Sequence, residues 1–314
     1  MKYAVISDIH GNYPALKAVL DDAGKQEISQ FLFAGDYCLS GPWPDECISK
    51  IRSIPKKYVI RGNEESYLEN LVGKDQSFWT DGQMQVSYWC YRNLSSDNLD
   101  YILNLPQKDE FDCNRIKIHM FHSSRDFLGT YPFYTWNSVE VAKRNRLTDA
   151  DPGSVLAEMA REREQDPHFQ ETLDNLEKGI YIFGHSHIQC SYADKDKGIY
   201  LINPGSCGLP LDGIKDSVPY TILEIGDEGR ISYEEKRVPF DKDSYISEVM
   251  LTSQFTEANV WTKVIIREQT TALEHMYFFL KFVEQYAKDI GDDIRPYSVE
   301  TWERAFEKWN AVNV

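Results

Sequence analysis

The sequence lacks what a membrane protein, a disulfide-built scaffold or a nucleic-acid clamp would need. No apolar run in its 314 residues is longer than a strand requires, so no transmembrane helix is expected. The first residues, MKYAVISDIHGN, do not read as a signal peptide: the apolar stretch is too short, and Asp8 and His10 stand where a cleavage site would lie. The six cysteines (Cys38, Cys47, Cys90, Cys113, Cys190, Cys207) are scattered singly without a CxxC pair. Such usage fits reduced thiols and a cytoplasmic protein better than a disulfide framework. Cationic side chains are also scarce, with 34 Lys and Arg against 50 Asp and Glu, a formal net charge of -16. Without a basic cluster, long nucleic acid is a poor substrate. A small anionic ligand remains open if a metal or local cations offset the field. Internal repeats and low-complexity tracts are absent too.

What is present is an ordinary globular composition, 42% hydrophobic and 27% charged, in a chain long enough for one large domain with or without an appendage. Lys2 to Ser7, Phe31 to Ala34 and Lys57 to Ile60 read as buried strands, separated by helices opening at Pro14 and Pro44. That alternation implies an α/β fold with parallel pairing. Helices are expected at Asp81–Leu94 and Ser96–Leu105, followed by a hairpin over Phe111–His122. Residues 127–178 form an aromatic and then charged helical insertion that could cover a site, although most of its aromatics are better read as core. After the strand Gly179–Phe183, short segments follow in antiparallel style as far as Val238. The expected organisation is a domain over 1–240 and a helical extension over 241–314, a place for dimerisation or a partner.

Each early strand ends on polar residues beside glycine: Ser7-Asp8-Ile9-His10-Gly11-Asn12, Gly35-Asp36, Arg61-Gly62-Asn63-Glu64-Glu65. In open α/β sheets the ligand sits beyond such strand ends. Asp8 and His10 lie two apart, as do His185 and His187, so on extended backbone each pair faces one way. Asp36 offers a carboxylate able to bridge two cations, Asn63 an amide oxygen, and His122, His185 and His187 imidazole nitrogens. His119 shares a strand with His122, but His122 stands at its end before Ser123-Ser124 and is the better ligand. His168 and His275 are expected in solvent. Mixed N/O donors without cysteine favour Mn²⁺, Fe or Zn²⁺. Seven donors with one bridging carboxylate suit two metals roughly 3.5–4 Å apart.

The order Asp8-x-His10, Gly35-Asp36, Gly62-Asn63, His122, Gly184-His185-x-His187 resembles the calcineurin-like metallophosphoesterases. SDIHGN, RGNEE, GHSH and NPGS look most like the small bacterial phosphodiesterase branch. The resemblance covers roughly Met1 to Pro239 and leaves the helical tail without a counterpart. It implies a four-layer αββα sandwich with two mixed β-sheets. It implies that Asp8, His10 and His187 hold one divalent ion, that Asn63, His122 and His185 hold another, and that Asp36 bridges them. Asn12 would lie near the phosphate. Arg61 and Arg125 flank motifs and could meet phosphate or serve as ion-pair partners. The loop Asn203-Pro204-Gly205-Ser206 reads as structural.

Two such cations would activate a hydroxide for in-line attack on phosphorus and neutralise developing charge. Many family members read GNH, with that histidine as general acid; here Glu64 takes its place. A carboxyl could protonate a leaving group only with a raised pKa. The missing histidine favours good leaving groups, hence a small phosphodiester or nucleotide-like substrate. The alternatives are a nucleotide phosphatase or pyrophosphohydrolase, and a metal-binding scaffold without turnover.

Overall fold

Along the first strand the side chains alternate between two cores. Ala4 and Ile6 join one apolar cluster with Phe31 and Phe33, whereas Tyr3 and Val5 join another with Leu32 and Ala34. A strand with period 2 and apolar residues on both faces has to be covered on both sides. In the computed structural model, which describes residues 1–129, 136–147 and 150–312, this is what the neighbours do. β1 (Lys2–Ile6), β2 (Gln30–Phe33) and β3 (Lys57–Val59) run parallel. Two later strands, β9 (Ser217–Ile225) and β10 (Ile231–Pro239), complete a sheet of order β10-β9-β1-β2-β3. The second sheet has the order β4-β5-β6-β8-β7, from β4 (Lys108–Cys113), β5 (Ile116–Phe121), β6 (Gly179–Ile182), β7 (Gln189–Asp194) and β8 (Ile199–Pro204).

Val5, Leu32, Ile118, Met120, Ile180 and Ile182 fill the space between the sheets. The helices Tyr13–Lys25 and Pro44–Ser53 cover the outer face of the first sheet through Leu16, Val19, Ile48 and Ile51. On the other side Tyr181, Phe183 and Leu201 point outward to Phe169 and Leu173 of the helix Pro167–Asp174. The result is the αββα sandwich, with two mixed sheets.

Several expectations change. The strands after Phe183 do not make one antiparallel sheet. β7 pairs with β8 in the second sheet, and the β9–β10 hairpin crosses to pair β9 with β1. A hairpin pattern identifies two neighbours but not the sheet they join. The described part of the insertion 127–178 is the outer helical layer, with Phe127 stacked on Phe121 and Tyr181 at 5.2 and 5.0 Å. Its aromatic residues at 130–135 lie outside the described residues. The helix expected from Asp81 begins at Gln85, because the Asp81 carboxylate accepts the Met84 N–H at 2.8 Å. In the extension, the pattern over 271–290 reads as a helix; the helix starts at Met276 and runs to Ile290, because residue 271 ends the preceding helix, Asn259–Thr271. Buried Glu268 accepts the N–H groups of His275 and Met276 at 2.7 Å each, capping the second helix.

β10 ends at Pro239 and the tail begins with the helix Lys242–Val249. The tail is not loose. Leu209 and Leu211 share a cluster with Val264, Phe279, Trp302 and Trp309. Gln254 donates to Leu39 O at 2.7 Å, and Gln269 donates to Gly208 O at 2.6 Å. Phe279, fully buried, tests this union: Phe279→Ala should cost about 3–5 kcal/mol. In urea, a single transition at lower midpoint is expected. A separate early transition that leaves the sandwich unaffected would show that the tail is independently stable.

Candidate metal centre

All the polar strand ends face one edge of the sandwich, and the loops stay laddered beyond the strands. Asp8 N–H donates to Gly35 O at 3.0 Å and His10 N–H to Asp36 O at 3.0 Å. Gly184 N–H donates to His122 O at 2.9 Å in the second sheet. The two sheets are joined here by Cys207 N–H to Ser7 O and Gly208 N–H to Asp8 O, both 2.9 Å. Side chains from five loops are thereby held at one place.

The backbone that aims them is not extended. Asp8, His10, Asp36, His185 and His187 have φ of 53°, 51°, 56°, 67° and 58°. For non-glycine residues such conformations cost on the order of 1–3 kcal/mol each and cluster at functional sites. The same-face argument from extended spacing therefore fails in its physics. Asp8 and His10 still converge, but His185 and His187 separate. The donor atoms of Asp8, His10 and His187 lie within 4.8 Å of one another, and those of Asp36, His122 and His185 form a second such group. His10, Asp36 and Glu64 form a third, so Asp36 lies between the first two.

His10 Nε2 and His187 Nε2 face each other at 3.0 Å, with Asp8 Oδ1 3.9 and 3.6 Å away. His122 Nε2 lies 3.2 Å from Asp36 Oδ2 and 3.1 Å from Asn63 Oδ1. The outer nitrogens are fixed by backbone: His187 Nδ1 donates to Leu209 O at 2.8 Å, His122 Nδ1 to Ala34 O at 2.7 Å. That leaves Nε2 inward, the arrangement metal-binding histidines adopt. Carboxylate, imidazole and amide oxygen, convergent and buried, form a donor set that fits divalent metal. Close packing explains two glycines. A Cβ on Gly62 would overlap the Asp36 carboxylate, and one on Gly184 would overlap Asp8 and Ser7.

Burial dominates the electrostatics. It pushes Asp8 up to about 6 and, with His122 nearby, pulls His185 down to about 4. Burial would also raise Asp36, but His122 outweighs it and holds the carboxyl below its usual range. For His122 burial is overcome by Asp36, which lifts the imidazole to about 10. Without metal the pair is therefore an ion pair.

Of the other candidate residues, Asn12 sits differently from the reading, Arg61 is compatible with both roles offered for it, and Glu64 turns inward. Asn12 is fully buried; its Oδ1 accepts the Ala15 N–H at 3.1 Å and its Nδ2 donates to Gly208 O at 2.9 Å. With both ends of the amide engaged, it caps a helix and ties loops instead of reaching phosphate. Arg61 donates to Glu69 Oε2 at 2.9 Å, yet with Arg125 it lines an open cleft of about 510 Å³ beside Asn63, His122 and His185. Glu64 is buried and turned to His10, 3.0 Å from its Nδ1, and does not line that cleft. Without metal, burial, with Asp36 and Glu65 adding to it, raises Glu64 well above the usual carboxyl range, a shift that bound cations would oppose.

His119 pairs with Glu110 at 3.0 Å and stacks on Tyr181, away from the centre. His275 is half-buried rather than solvated, bonded to Thr271 at 3.0 Å and held by burial at about 4. Asn203 donates to Gly184 O, and Ser206 donates to Asp8 O, holding the loops from below.

Glu65 went unread. Its carboxylate accepts the N–H groups of Asp36, Tyr37 and Gly62 at 3.1, 2.8 and 2.7 Å. The available signal was a glutamate at the third position of a helix opened by Gly62, where it can reach back to the cap.

A four-layer sandwich with this centre is the architecture of metallophosphoesterases. The chain matches the calcineurin-like phosphoesterase family over residues 1–189 and belongs to it. It is thus a metallophosphoesterase, a metal-dependent phosphoric ester hydrolase by family, with clustered potential ligands. An uncharacterised protein, MJ0912, of Methanocaldococcus jannaschii is 28% identical over 239 residues, 76% of this chain and 87% of that protein. The crystal structure of a metallophosphoesterase from Sphaerobacter thermophilus shares the fold with a TM-score of 0.56 at 22% identity, over 87% of this chain and 100% of that one. The hypothetical protein PH1004 from Pyrococcus horikoshii OT3 does so with a TM-score of 0.56 at 15% identity, over 87% and 99%. Among the described residues no helix is long and apolar enough to cross a membrane.

The Asp36–His122 pair makes a pH prediction for chelator-stripped protein. The folded state holds the His122 proton more tightly than the unfolded state, whose value is 6.5. Its contribution to stability is complete below pH 6.5 and is lost as pH rises through about 10. Imidazole ¹⁵N shifts should show His122 titrating near 10 and His185 near 4. A His122 midpoint at its ordinary value would contradict the pairing.

Proposed function

We propose that this protein is a dinuclear phosphodiesterase for a small phosphodiester or nucleotide-like substrate. The observation that carries the reading is the pair of largely buried donor groups joined through Asp36, of which His122 and His185, with Asn63, reach the wall of an open cleft of about 510 Å³, a size that suits a small organic ligand. Asp8, His10 and His187 would hold one cation, and Asn63, His122 and His185 the other, with Asp36 placed between the two groups. Divalent cations so placed lower the pKa of a bound water and neutralise charge on the phosphoryl oxygens. Manganese is the preferred ion from the mixed N/O donors, with iron or zinc as alternatives.

The chain's own part is orientation and charge. His122 and His187 are locked by their outer nitrogens, which keeps both donors in place before substrate arrives. Arg61 and Arg125 bring positive charge to the cleft, local cations in a chain whose net charge is -16. Side-chain assistance to the leaving group is missing where relatives with GNH would have it, because Glu64 faces inward. That favours diesters with good leaving groups over monoesters. The complete ligand set argues against the scaffold alternative. All six cysteines are free and buried, which supports a reducing, cytoplasmic setting.

Chelator-stripped protein should release p-nitrophenol from bis-p-nitrophenyl phosphate only after Mn²⁺ is returned, and faster than from p-nitrophenyl phosphate. Asp36→Asn should lower the diester rate by at least about 10²-fold, as expected when a metal-bridging charge is removed. Turnover that survives Asp36→Asn, or that needs no metal, would sink the dinuclear reading. A monoester preference would replace the diester assignment.

A further inference from the structure

The glutamate at the histidine position has a specific place in the structure. Glu64 is the second residue of the helix Asn63–Glu69, and its N–H donates to Asp36 Oδ1 at 3.0 Å. Its side chain folds back over the first donor group. Glu64 Oε1 lies 3.0 Å from His10 Nδ1, and both side chains are more than nine-tenths buried. Neither His10 Nδ1 nor Glu64 Oε2 has a hydrogen-bond partner. Buried polar atoms without partners are costly, and here two of them belong to neighbouring side chains.

The other histidines give the comparison. The outer nitrogens of His122 and His187 are each held by a backbone carbonyl. For His10 the corresponding atom faces the Glu64 carboxylate at a distance suited to a hydrogen bond but not in line for one. Histidines that bind metal commonly donate the outer N–H to such a group, and a carboxylate there raises the basicity of the imidazole.

We propose that Glu64 is a positioning residue for the cation held by Asp8, His10 and His187: its carboxylate accepts the His10 Nδ1 proton and fixes the tautomer that offers Nε2 inward. The inference rests on the metal assignment made under the proposed function. It also separates Glu64 from the reacting oxygen. A carboxylate committed to His10 is not delivering a proton to a leaving group, so this position sets metal affinity rather than leaving-group chemistry.

The test compares wild type, Glu64→Ala and Glu64→Gln, each stripped and titrated with Mn²⁺ by calorimetry, with folding checked by circular dichroism. Wild type should bind two equivalents. Glu64→Ala should weaken one of them by about 10–100-fold, the usual effect of removing an outer-shell partner, while leaving the other unchanged. Glu64→Gln should recover most of that loss, because its amide oxygen still accepts from His10. A merely structural role would lower thermal stability without separating the two affinities. At saturating Mn²⁺, rates across a series of aryl phosphodiesters should depend on leaving-group pKa as in wild type.

Unchanged affinities in Glu64→Ala, or a Gln variant as impaired as Ala, would overturn the inference while leaving the metal assignment standing. A rate loss that grows with leaving-group pKa would overturn it in favour of a general acid. Failure of the wild type itself to bind two equivalents would overturn the metal assignment and this inference together.

Discussion

The buried Asp36 carboxylate, set against the His122 imidazole at 3.2 Å, is the constraint around which the rest of the centre is arranged. A carboxylate taken out of water costs several kcal/mol unless it is paired and hydrogen-bonded. His122 supplies the charge and the Glu64 N–H supplies a hydrogen bond. The loop that carries Asp36 is held by Glu65, which gathers three backbone N–H groups from two loops. Glycine at position 62 leaves the room that the carboxylate needs. The geometry is fixed by the protein before any ion is added. A divalent cation held there would take the place of the His122 proton and reduce the repulsion among the acids.

The sheets explain why this expense is concentrated at one edge. Strands with apolar residues on both faces need cover on both sides, and the four layers provide it. Their parallel arrangement then sends the ends of β1, β2, β3, β5 and β6 to the same edge. Left-handed backbone at Asp8, His10, Asp36, His185 and His187 turns the side chains inward. The tail takes part from behind: Gln269 and Asn12 both donate to Gly208 O, whose own N–H holds Asp8 O. Strain at the centre is thus supported by hydrogen bonds from outside it.

Much of this was legible in the sequence. Strand positions followed from short β-branched runs, and the clustering of candidate donors followed from polar residues beside glycine at strand ends. Local pattern could not say which sheet β9 would join, because pairing with β1 is a contact across more than 200 residues, as between Lys2 and Glu224. The helix break at 272–275 depends on buried Glu268, whose partners appear only in three dimensions. Asn12 was misread for the same reason, since its amide is engaged by Ala15 and by a distant carbonyl. Glu64 could be recognised as a departure from GNH, but its direction depended on how the helix Asn63–Glu69 sits over His10. Spacing gave the right partners for Asp8 and His10 through a wrong conformation, extended where the chain is left-handed.

The central claim is that Asp36 joins two metal positions. Its most direct test is anomalous diffraction from crystals grown with Mn²⁺, recorded on both sides of the manganese edge. The account predicts two peaks separated by roughly 3.5–4 Å, both within bonding distance of Asp36, one beside Asp8, His10 and His187 and the other beside Asn63, His122 and His185. One peak alone, or two peaks that do not share Asp36, would contradict it.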